Sequence, residues 1–170
     1  MEKEIKILVC AHREAALPPH KYFYPIQVGA ALTNTRFYHA QDNTGDNISD
    51  KNPHFCVLTA HYWAWKNIRC DIIGLNHYRR FFDFYRSFAS FSPDRSFINR
   101  DSFLKKKYCF PDLEKLLNDY DIILPSKRHY PYNVGTQYAV FHIVNDLHIL
   151  KEVIHDVSPE YSTAFDTLMY

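Results

Sequence analysis

The segment YWAWKNIRCDIIGLNHYRRFF, residues 62–82, predicts a helix, then a strand, then a strand end rich in polar side chains. The apolar run before His77 is typical of a buried strand. The chain then presents His77, Tyr78, Arg79 and Arg80 in succession. In α/β proteins, ligands bind beyond the carboxyl ends of the strands. Two adjacent guanidinium groups at such a position therefore indicate an anionic ligand.

The composition is that of a globular domain. The 170 residues are enough for one domain with a core, and the net charge of +1 argues against a dedicated nucleic-acid binder, which carries a strongly basic face. No window reaches the roughly 20 apolar residues that span a bilayer. Cys10, Cys56, Cys70 and Cys109 are scattered and form no C-x-x-C pair. We interpret them as reduced residues, the first three of them buried, and we expect a cytosolic protein.

Apolar runs and helix-start signals predict alternating strands and helices. The predicted strands are Ile5–Ala11, Phe37–Ala40, Asp71–His77 and Tyr120–Pro125. The predicted helices are Asn52–Asn67, Pro111–Asp119, Asn145–His155 and Ser158–Met169, with Asn52, Asn145 and Ser158 as N-caps. The proline-containing stretch from His12 to about Val28 is predicted to be a loop. This order predicts an α/β domain with a mostly parallel sheet flanked by helices.

Three predicted strands end in basic or polar residues. These ends are His12-Arg13, His77 to Arg80, and Ser126 to His129. If the strands are parallel, the three ends converge on one edge of the sheet. That edge is basic although the whole protein is near neutral, and a local cationic cluster suits a phosphorylated ligand.

Several common motifs are absent from the sequence. There is no G-x-G-x-x-G and no G-x-x-x-x-G-K-[ST], which disfavours dinucleotide oxidoreductases and P-loop NTPases. There is also no H-E-x-x-H and no G-x-S-x-G, and the histidines show no metal-ligand spacing.

Four segments, taken in order, resemble one bacterial family. They are PIQVGAAL at 25–32, DNTGDNISDKNPHFCVLTAHYWAWKN at 42–67, DIIGLNHYRRFF at 71–82, and DIILPSKRHYP followed by QYAVFHIVNDL within 121–147. The family is domain of unknown function 4422, whose members are capsular and exopolysaccharide glycosyltransferases. The resemblance covers nearly the whole chain, and its specificity lies in the combination of motifs rather than in any one of them.

The resemblance implies a GT-A-like, Rossmann-like fold and an inverting transfer reaction. The implied donor is a UDP-sugar, the transferred group a hexose such as galactose or galactofuranose, and the acceptor a lipid-linked or oligosaccharide glycan. It also implies a cytoplasmic enzyme, with peripheral association at the inner face of the membrane as one arrangement, and no nucleic-acid partner. Residues 1–170 would form a single domain that is incomplete at its C-terminus, because members of the family continue into a further segment.

One departure concerns metal. Many GT-A enzymes hold Mn²⁺ or Mg²⁺ with an Asp-x-Asp motif after the corresponding strand, whereas this sequence has Asn76 to Arg80 there. Two arginines can neutralise a diphosphate directly. No metal ligand is therefore assigned, and dependence on Mn²⁺ or Mg²⁺ is left open.

The candidate site residues fall into two groups. An inverting transferase needs a base near the acceptor hydroxyl, and the predicted catalytic residues are Asp42, Asp46 and His77. The predicted donor-binding residues are His12, Asn47, Asn76, Tyr78, Arg79 and Arg80. Each has a structural alternative: Asp42 to Asn47 as an Asx-rich turn, His77 and Tyr78 as packing residues, and the arginines as partners of acids such as Asp83. For Trp63 and Trp65 the core is the expected location.

Other functions stay open from the sequence. One is a catalytically inactive remnant that binds a nucleotide-sugar or a protein partner. Another is a phosphoesterase, which would need a tight divalent metal site built from Asp and His. A nucleic-acid binder is the least favoured alternative, because the basic residues are local.

Overall fold

The computed structural model describes residues 2–82, 84, 110–125 and 131–169. The chain divides into two compact units, residues 1–123 and 124–170. The expectation of a single domain, incomplete at its C-terminus, stays a prediction.

In the part of the first unit that the structure describes, four strands form a wholly parallel sheet. Its strands are β1 (Ile5–Ala11), β2 (Phe23–Gln27), β3 (Ala40–Gln41) and β4 (Ile72–His77). Their spatial order is β3-β2-β1-β4, so β1 is central and its carboxyl end lies beside that of β4. The predicted α/β class with a parallel sheet flanked by helices is confirmed.

Strand β1 is buried on both faces, as expected for a central parallel strand. On one face, Leu8 and Cys10 pack with Ile26 and with Ala60 and Trp63 of the helix that precedes β4. On the other face, Ile5 and Ile7 pack with Leu113, and Val9 and Ala11 pack with Tyr78. The continuous ILVCA run is therefore explained by burial on both sides, which removes the alternation of a one-sided strand.

The strand predictions succeed for β1 and β4 and fail elsewhere. Ile5–Ala11 is observed as predicted, and β4 begins one residue later than predicted. The predicted loop after β1 is wrong in part because it contains β2, whose Pro25 lies beside Val9. Of the predicted strand Phe37–Ala40, only Ala40 lies in β3. Tyr120–Pro125 forms no strand, and its Ile122 is exposed, so the apolar run did not by itself determine a strand.

The predicted helix 52–67 is two helices, α1 (Asn52–Phe55) and α2 (Leu58–Asn67). The break occurs at Cys56, whose φ of 49° lies in the left-handed region. The predicted N-cap Asn52 is already inside α1. Its side-chain Nδ2 instead donates to the carbonyl oxygen of Cys56 and to Thr59 Oγ1, so it stabilises the break rather than the helix start.

Helix α3 (Leu113–Asp119) completes the first unit and begins two residues later than predicted. Its N-cap is Asp112, whose carboxylate accepts a hydrogen bond from the Lys115 amide at 3.0 Å. Leu113 places this helix against the face of β1 that carries Ile5 and Ile7.

The second unit is helical. It contains α4 (Val134–Phe141), α5 (Val144–Val157), a 3-10 turn (Pro159–Tyr161) and α6 (Ser162–Met169). Helix α4 was not predicted, although its N-cap Asn133 accepts a hydrogen bond from the Thr136 amide. Ile143, not the predicted Asn145, occupies the N-cap of α5. Lys151 and Asp166 join α5 to α6 by an ion pair of 2.8 Å.

Two predictions of burial are wrong, and a third is met only in part because Cys70 is half-buried. Trp63 is buried as expected, but Trp65 lies two residues further along the helix, on a different side, and is 67% exposed. Cys56 is exposed, whereas Cys10 is buried, and burial raises the pKa of the Cys10 thiol to about 12. The three described cysteines are free, and Cys109 lies outside the described residues. Among the described helices, none is long and apolar enough to cross a membrane.

Candidate functional site

The parallel register of β1 and β4 brings their carboxyl ends together. Cys10 lies opposite His77, and the Tyr78 amide donates to the Cys10 carbonyl at 3.0 Å. The residues that follow each strand, His12-Arg13 and Tyr78 to Arg80, therefore leave the sheet at the same edge. The expected convergence of these two basic strand ends is observed.

Tyr78 is the centre of this edge. It is only 6% exposed, and Arg13 donates a hydrogen bond from Nε to its hydroxyl at 3.1 Å. The guanidinium carbon of Arg79 lies 5.2 Å from the centre of the Tyr78 ring. The His12 ring meets Tyr78 edge-on at 5.5 Å between centroids, and the His77 ring lies at 4.4 Å. One buried phenol thus contacts four of the side chains at the strand ends.

The positive charge at this edge is not neutralised within the described part of the chain. There, no carboxylate lies within ion-pair distance of Arg13, Arg79 or Arg80. Burial, and then the charges of Arg79, Arg80 and His12, lower the pKa of His77. The imidazole is therefore neutral at pH 7. The positive charge of the three arginines at this edge favours an anionic ligand.

Asp42 occupies a different position: it directly follows the edge strand β3 and is fully buried. Its carboxylate accepts hydrogen bonds from the amides of Gly29 and Ala30 at 2.9 and 3.0 Å. It also accepts from the hydroxyls of Ser49 and Thr59 at 2.5 and 2.6 Å. A carboxylate with four donors and no solvent contact ties three segments together. This placement favours the structural alternative for Asp42 over the predicted role as base.

Asp46 is exposed, but it lies along α2 and away from Asp42. Its carboxylate accepts from the Tyr62 hydroxyl at 3.1 Å, and its backbone exchanges two hydrogen bonds with the side chain of Asn67. Thr59, which contacts Asp42, is eight residues before Asn67, so this end of the loop lies roughly 12 Å further along the helix. No described hydrogen bond joins Asp46 to His77.

The two predicted asparagines differ in location. Asn47 makes contacts within its own loop, donating to the Gly45 carbonyl and accepting from the Ser49 amide. Asn76 is buried on β4 opposite Val9, one residue before the strand end. Only Asn76 is therefore near the basic edge, and it lies beneath its surface.

A family model described as a domain of unknown function, DUF4422, matches residues 6–170. The chain belongs to the DUF4422 family. The resemblance of its motifs to that family is thereby confirmed.

The fold is also similar to a solved structure, the apo form of the bifunctional glycosyltransferase WbbM. The sequences are 28% identical and the TM-score is 0.77. The match covers 98% of this DUF4422 chain and 31% of the WbbM chain, so the chain spans about a third of that protein. The fold is therefore glycosyltransferase-like. Among curated proteins, none matches this chain.

Among the residues that the structure describes, those at the basic edge do not fit a divalent metal. Throughout the described ranges of this DUF4422 chain, no three His, Cys, Asp or Glu side chains are grouped closely enough to hold one. The strand end that would carry two carboxylates carries Arg79 and Arg80, and a guanidinium has only N–H donors and a positive charge. We therefore assign no step to Mn²⁺ or Mg²⁺, and metal dependence stays open to measurement.

A groove of about 550 Å³ lies at the opposite edge of the sheet, where β1 and β4 begin. Glu4, Trp65, Arg69 and Asp71 line it together with apolar residues. Its lining mixes both signs of charge, whereas the carboxyl edge carries three arginines. We place the candidate site at the carboxyl edge, where ligands of parallel α/β sheets bind.

Sequence reasoning grouped Arg13 with the basic strand ends but did not select it as a donor-binding residue. The signal that it contacts Tyr78 is not in the local sequence, because it depends on the pairing of β1 with β4 across 65 residues. The third predicted basic end, Ser126 to His129, and the proposed partner Asp83 lie outside the described residues.

Proposed function

We propose that this chain is the donor-binding part of a glycosyltransferase that takes a hexose from a UDP-sugar. The observation that carries the proposal is the parallel pairing of β1 with β4, which places Arg13, Arg79 and Arg80 at one sheet edge without a carboxylate partner in the described residues. Family membership and the likeness to WbbM support the same reaction class.

In this proposal the donor diphosphate lies over the end of β4. Arg79 and Arg80 stabilise the negative charge that grows on the leaving diphosphate, and fixed positive groups are effective there because they need no reorganisation during the reaction. The nucleoside lies near the end of β1 and His12, whose exposed ring flanks Tyr78.

The proton acceptor is the next part of the proposal. We give Asp42 a structural role, because it accepts four hydrogen bonds and is fully buried, which leaves an acceptor hydroxyl no access to it. The lowered pKa of His77 keeps its imidazole in the neutral form that accepts a proton, so His77 is our candidate at this edge. An exposed Asp46 stays a candidate only if the acceptor extends along α2.

The acceptor and the setting follow the family resemblance. We propose a growing capsular or exopolysaccharide glycan, lipid-linked or free, as acceptor, galactose or galactofuranose as the transferred sugar, and inversion at the anomeric carbon. We also propose that the reaction takes place in the cytoplasm at the inner face of the membrane.

A thermal-shift panel tests donor binding. The protein is heated with UDP, GDP, CMP and their sugar conjugates, each with Mn²⁺ and with EDTA. A ligand that binds only the folded state raises the melting temperature, by an amount set by RT ln(1 + [L]/Kd). We expect UDP and UDP-hexoses to stabilise the protein in EDTA, and we expect Arg79→Ala and Arg80→Ala to remove the shift.

Arg36→Ala is the matched control, because Arg36 is an exposed arginine on the loop before β3 that bonds its own loop. Its UDP shift should equal that of wild type. Failure of every nucleotide to stabilise the protein would contradict the proposal. UDP stabilisation without sugar transfer to any glycan acceptor would instead identify the chain as an inactive nucleotide-sugar binder.

A further inference from the structure

We propose that Arg13 is a third arginine of the diphosphate site and that Tyr78 is its positioning residue. The inference rests on the proposed function, and it adds a specific ligand contact from β1 to the contacts expected from the end of β4. It assigns a role to the contact between Arg13 and Tyr78, which links the carboxyl ends of the paired strands β1 and β4.

The anchor of this arrangement is rigid. The Tyr78 side chain packs against Val9 and Ala11 of β1, and its amide donates to the Cys10 carbonyl. A tyrosine that is 6% exposed cannot follow a mobile side chain, so its hydroxyl is a fixed acceptor. Arg13, which is itself exposed, takes up one orientation by donating Nε–H to this hydroxyl.

The orientation leaves the useful part of the guanidinium unengaged. An arginine has five N–H donors, and only the one on Nε is used by Tyr78. The two terminal nitrogens present their four N–H groups as a planar fork, the geometry that matches two oxygens of a phosphate. No carboxylate of the described residues takes that fork.

Tyr78 also brings the arginines of the two strand ends together. The guanidinium carbons of Arg13 and Arg79 lie 5.6 and 5.2 Å from the centre of its ring. Two like charges held around one ring repel each other, and a bound dianion removes that repulsion. A diphosphate offers two adjacent anionic groups, which suits one arginine from β1 and another from the end of β4.

The competing interpretation is that Arg13 only satisfies the buried Tyr78 hydroxyl. The two interpretations differ in their effect on anion binding. Isothermal titration of the full chain with UDP and, separately, with inorganic pyrophosphate measures the affinity for each anion. The variants are Arg13→Ala, Arg13→Lys, Tyr78→Phe and the double variant Arg13→Ala/Tyr78→Phe. Tyr78→Phe keeps the packed ring and removes only the hydroxyl.

We expect Arg13→Ala to weaken both ligands about tenfold, the loss of one charge-assisted contact. Arg13→Lys should recover part of this loss, since it keeps the charge but not the fork. Tyr78→Phe should weaken binding about threefold. The double variant should bind no more weakly than Arg13→Ala alone, because positioning has no effect without the residue that is positioned. Arg69→Ala, an arginine at the opposite edge, is the control and should bind like wild type.

The outcomes separate the two proposals. If UDP binds and Arg13→Ala has wild-type affinity, the inference is wrong and the proposed function stands. If the Tyr78→Phe effect persists in the Arg13→Ala background, Tyr78 does not act through Arg13. If pyrophosphate binding depends on Arg13 but UDP binds no more tightly than pyrophosphate, the anion site stands and the nucleotide assignment fails. If neither ligand binds wild type, both proposals fail.

Discussion

Two regions of the first unit attracted functional predictions, and their environments are opposite. The end of β4 carries Arg79 and Arg80, exposed cations with no acidic partner in the described residues. The loop after β3 carries Asp42, a buried carboxylate with a donor on every side. In the sequence both are clusters of charged and polar residues.

The difference between them teaches how to separate function from architecture. A charged group whose hydrogen-bonding capacity is filled by its own chain contributes to the free energy of folding and has little left for a ligand. A charged group left unpaired at a sheet edge costs stability or contributes nothing, and so it points to a ligand. Substitutions in the loop after β3 should therefore lower stability, whereas substitutions at the end of β4 should weaken ligand binding and leave stability nearly unchanged.

The largest effect is expected for Asp42→Ala. Removal of the carboxylate leaves two buried amides and the Ser49 hydroxyl without an acceptor, and leaves Thr59 with only the Cys56 carbonyl. We expect the free energy of unfolding to fall by about 3 kcal/mol or more. Urea denaturation measures it, and Asp50→Ala, an exposed neighbour, is the control. A wild-type urea midpoint for Asp42→Ala would contradict the structural role.

A smaller loss is expected for Gly45→Ala in the same loop. Gly45 has φ of 57°, and a Cβ there would lie 2.0 Å from Asn67 Oδ1. We expect a loss of about 1–3 kcal/mol from left-handed strain and from displacement of Asn67. If displacement of Asn67 is the cause, Gly45→Ala in an Asn67→Ala background should cost less, as measured by chemical denaturation. Equal costs in both backgrounds would assign the loss to the backbone alone.

The strand end should respond in the opposite way. Arg79→Gln removes an exposed cation without a described acidic partner, so we expect the free energy of unfolding to stay within about 0.5 kcal/mol of wild type. The same variant should bind UDP more weakly in titration. A large loss of stability would show that Arg79, like Asp42, has a structural role, and would contradict the difference proposed between the two regions.

The smallest effect concerns pH. Burial and the charges of Arg79, Arg80 and His12 lower the pKa of His77 below its ordinary value of 6.5. As pH falls from about 6.5 towards the lowered pKa, the unfolded chain binds a proton that the folded chain does not, so stability decreases. Wild type should lose stability over this window more steeply than His77→Asn. Parallel pH profiles of the two proteins in urea denaturation would contradict this.

His20 does not contribute to the difference between the pH profiles of wild type and His77→Asn. Its pKa is also lowered, by burial and by Lys21, but it is present in both proteins and its contribution cancels in the difference.

The sequence predicted strands β1 and β4 but missed β2, which lies inside the sheet between β1 and β3. The strand Ile5–Ala11 was predictable because burial on both faces produces a continuous apolar run. The strand that ends at His77 was predictable from its own apolar run, although it lies at the edge of the sheet and is only partly buried. Strand β2 was missed because Pro25 and two aromatic residues read locally as a loop. The helix break at Cys56 was missed because the Asn52 side chain that stabilises it sits four residues away, at what looked like an ordinary N-cap.

For the site, the sequence by itself determined which residues stand at the strand ends: His12, Arg13 and the run from His77 to Arg80. It could not tell an unpaired charge from a paired one. That distinction was decided only by the tertiary structure, which joins Asp42 to Ser49 and Thr59 and joins Arg13 to Tyr78. The physical reason is that a hydrogen bond depends on distances of about 3 Å in space, whereas the sequence records only positions along the chain.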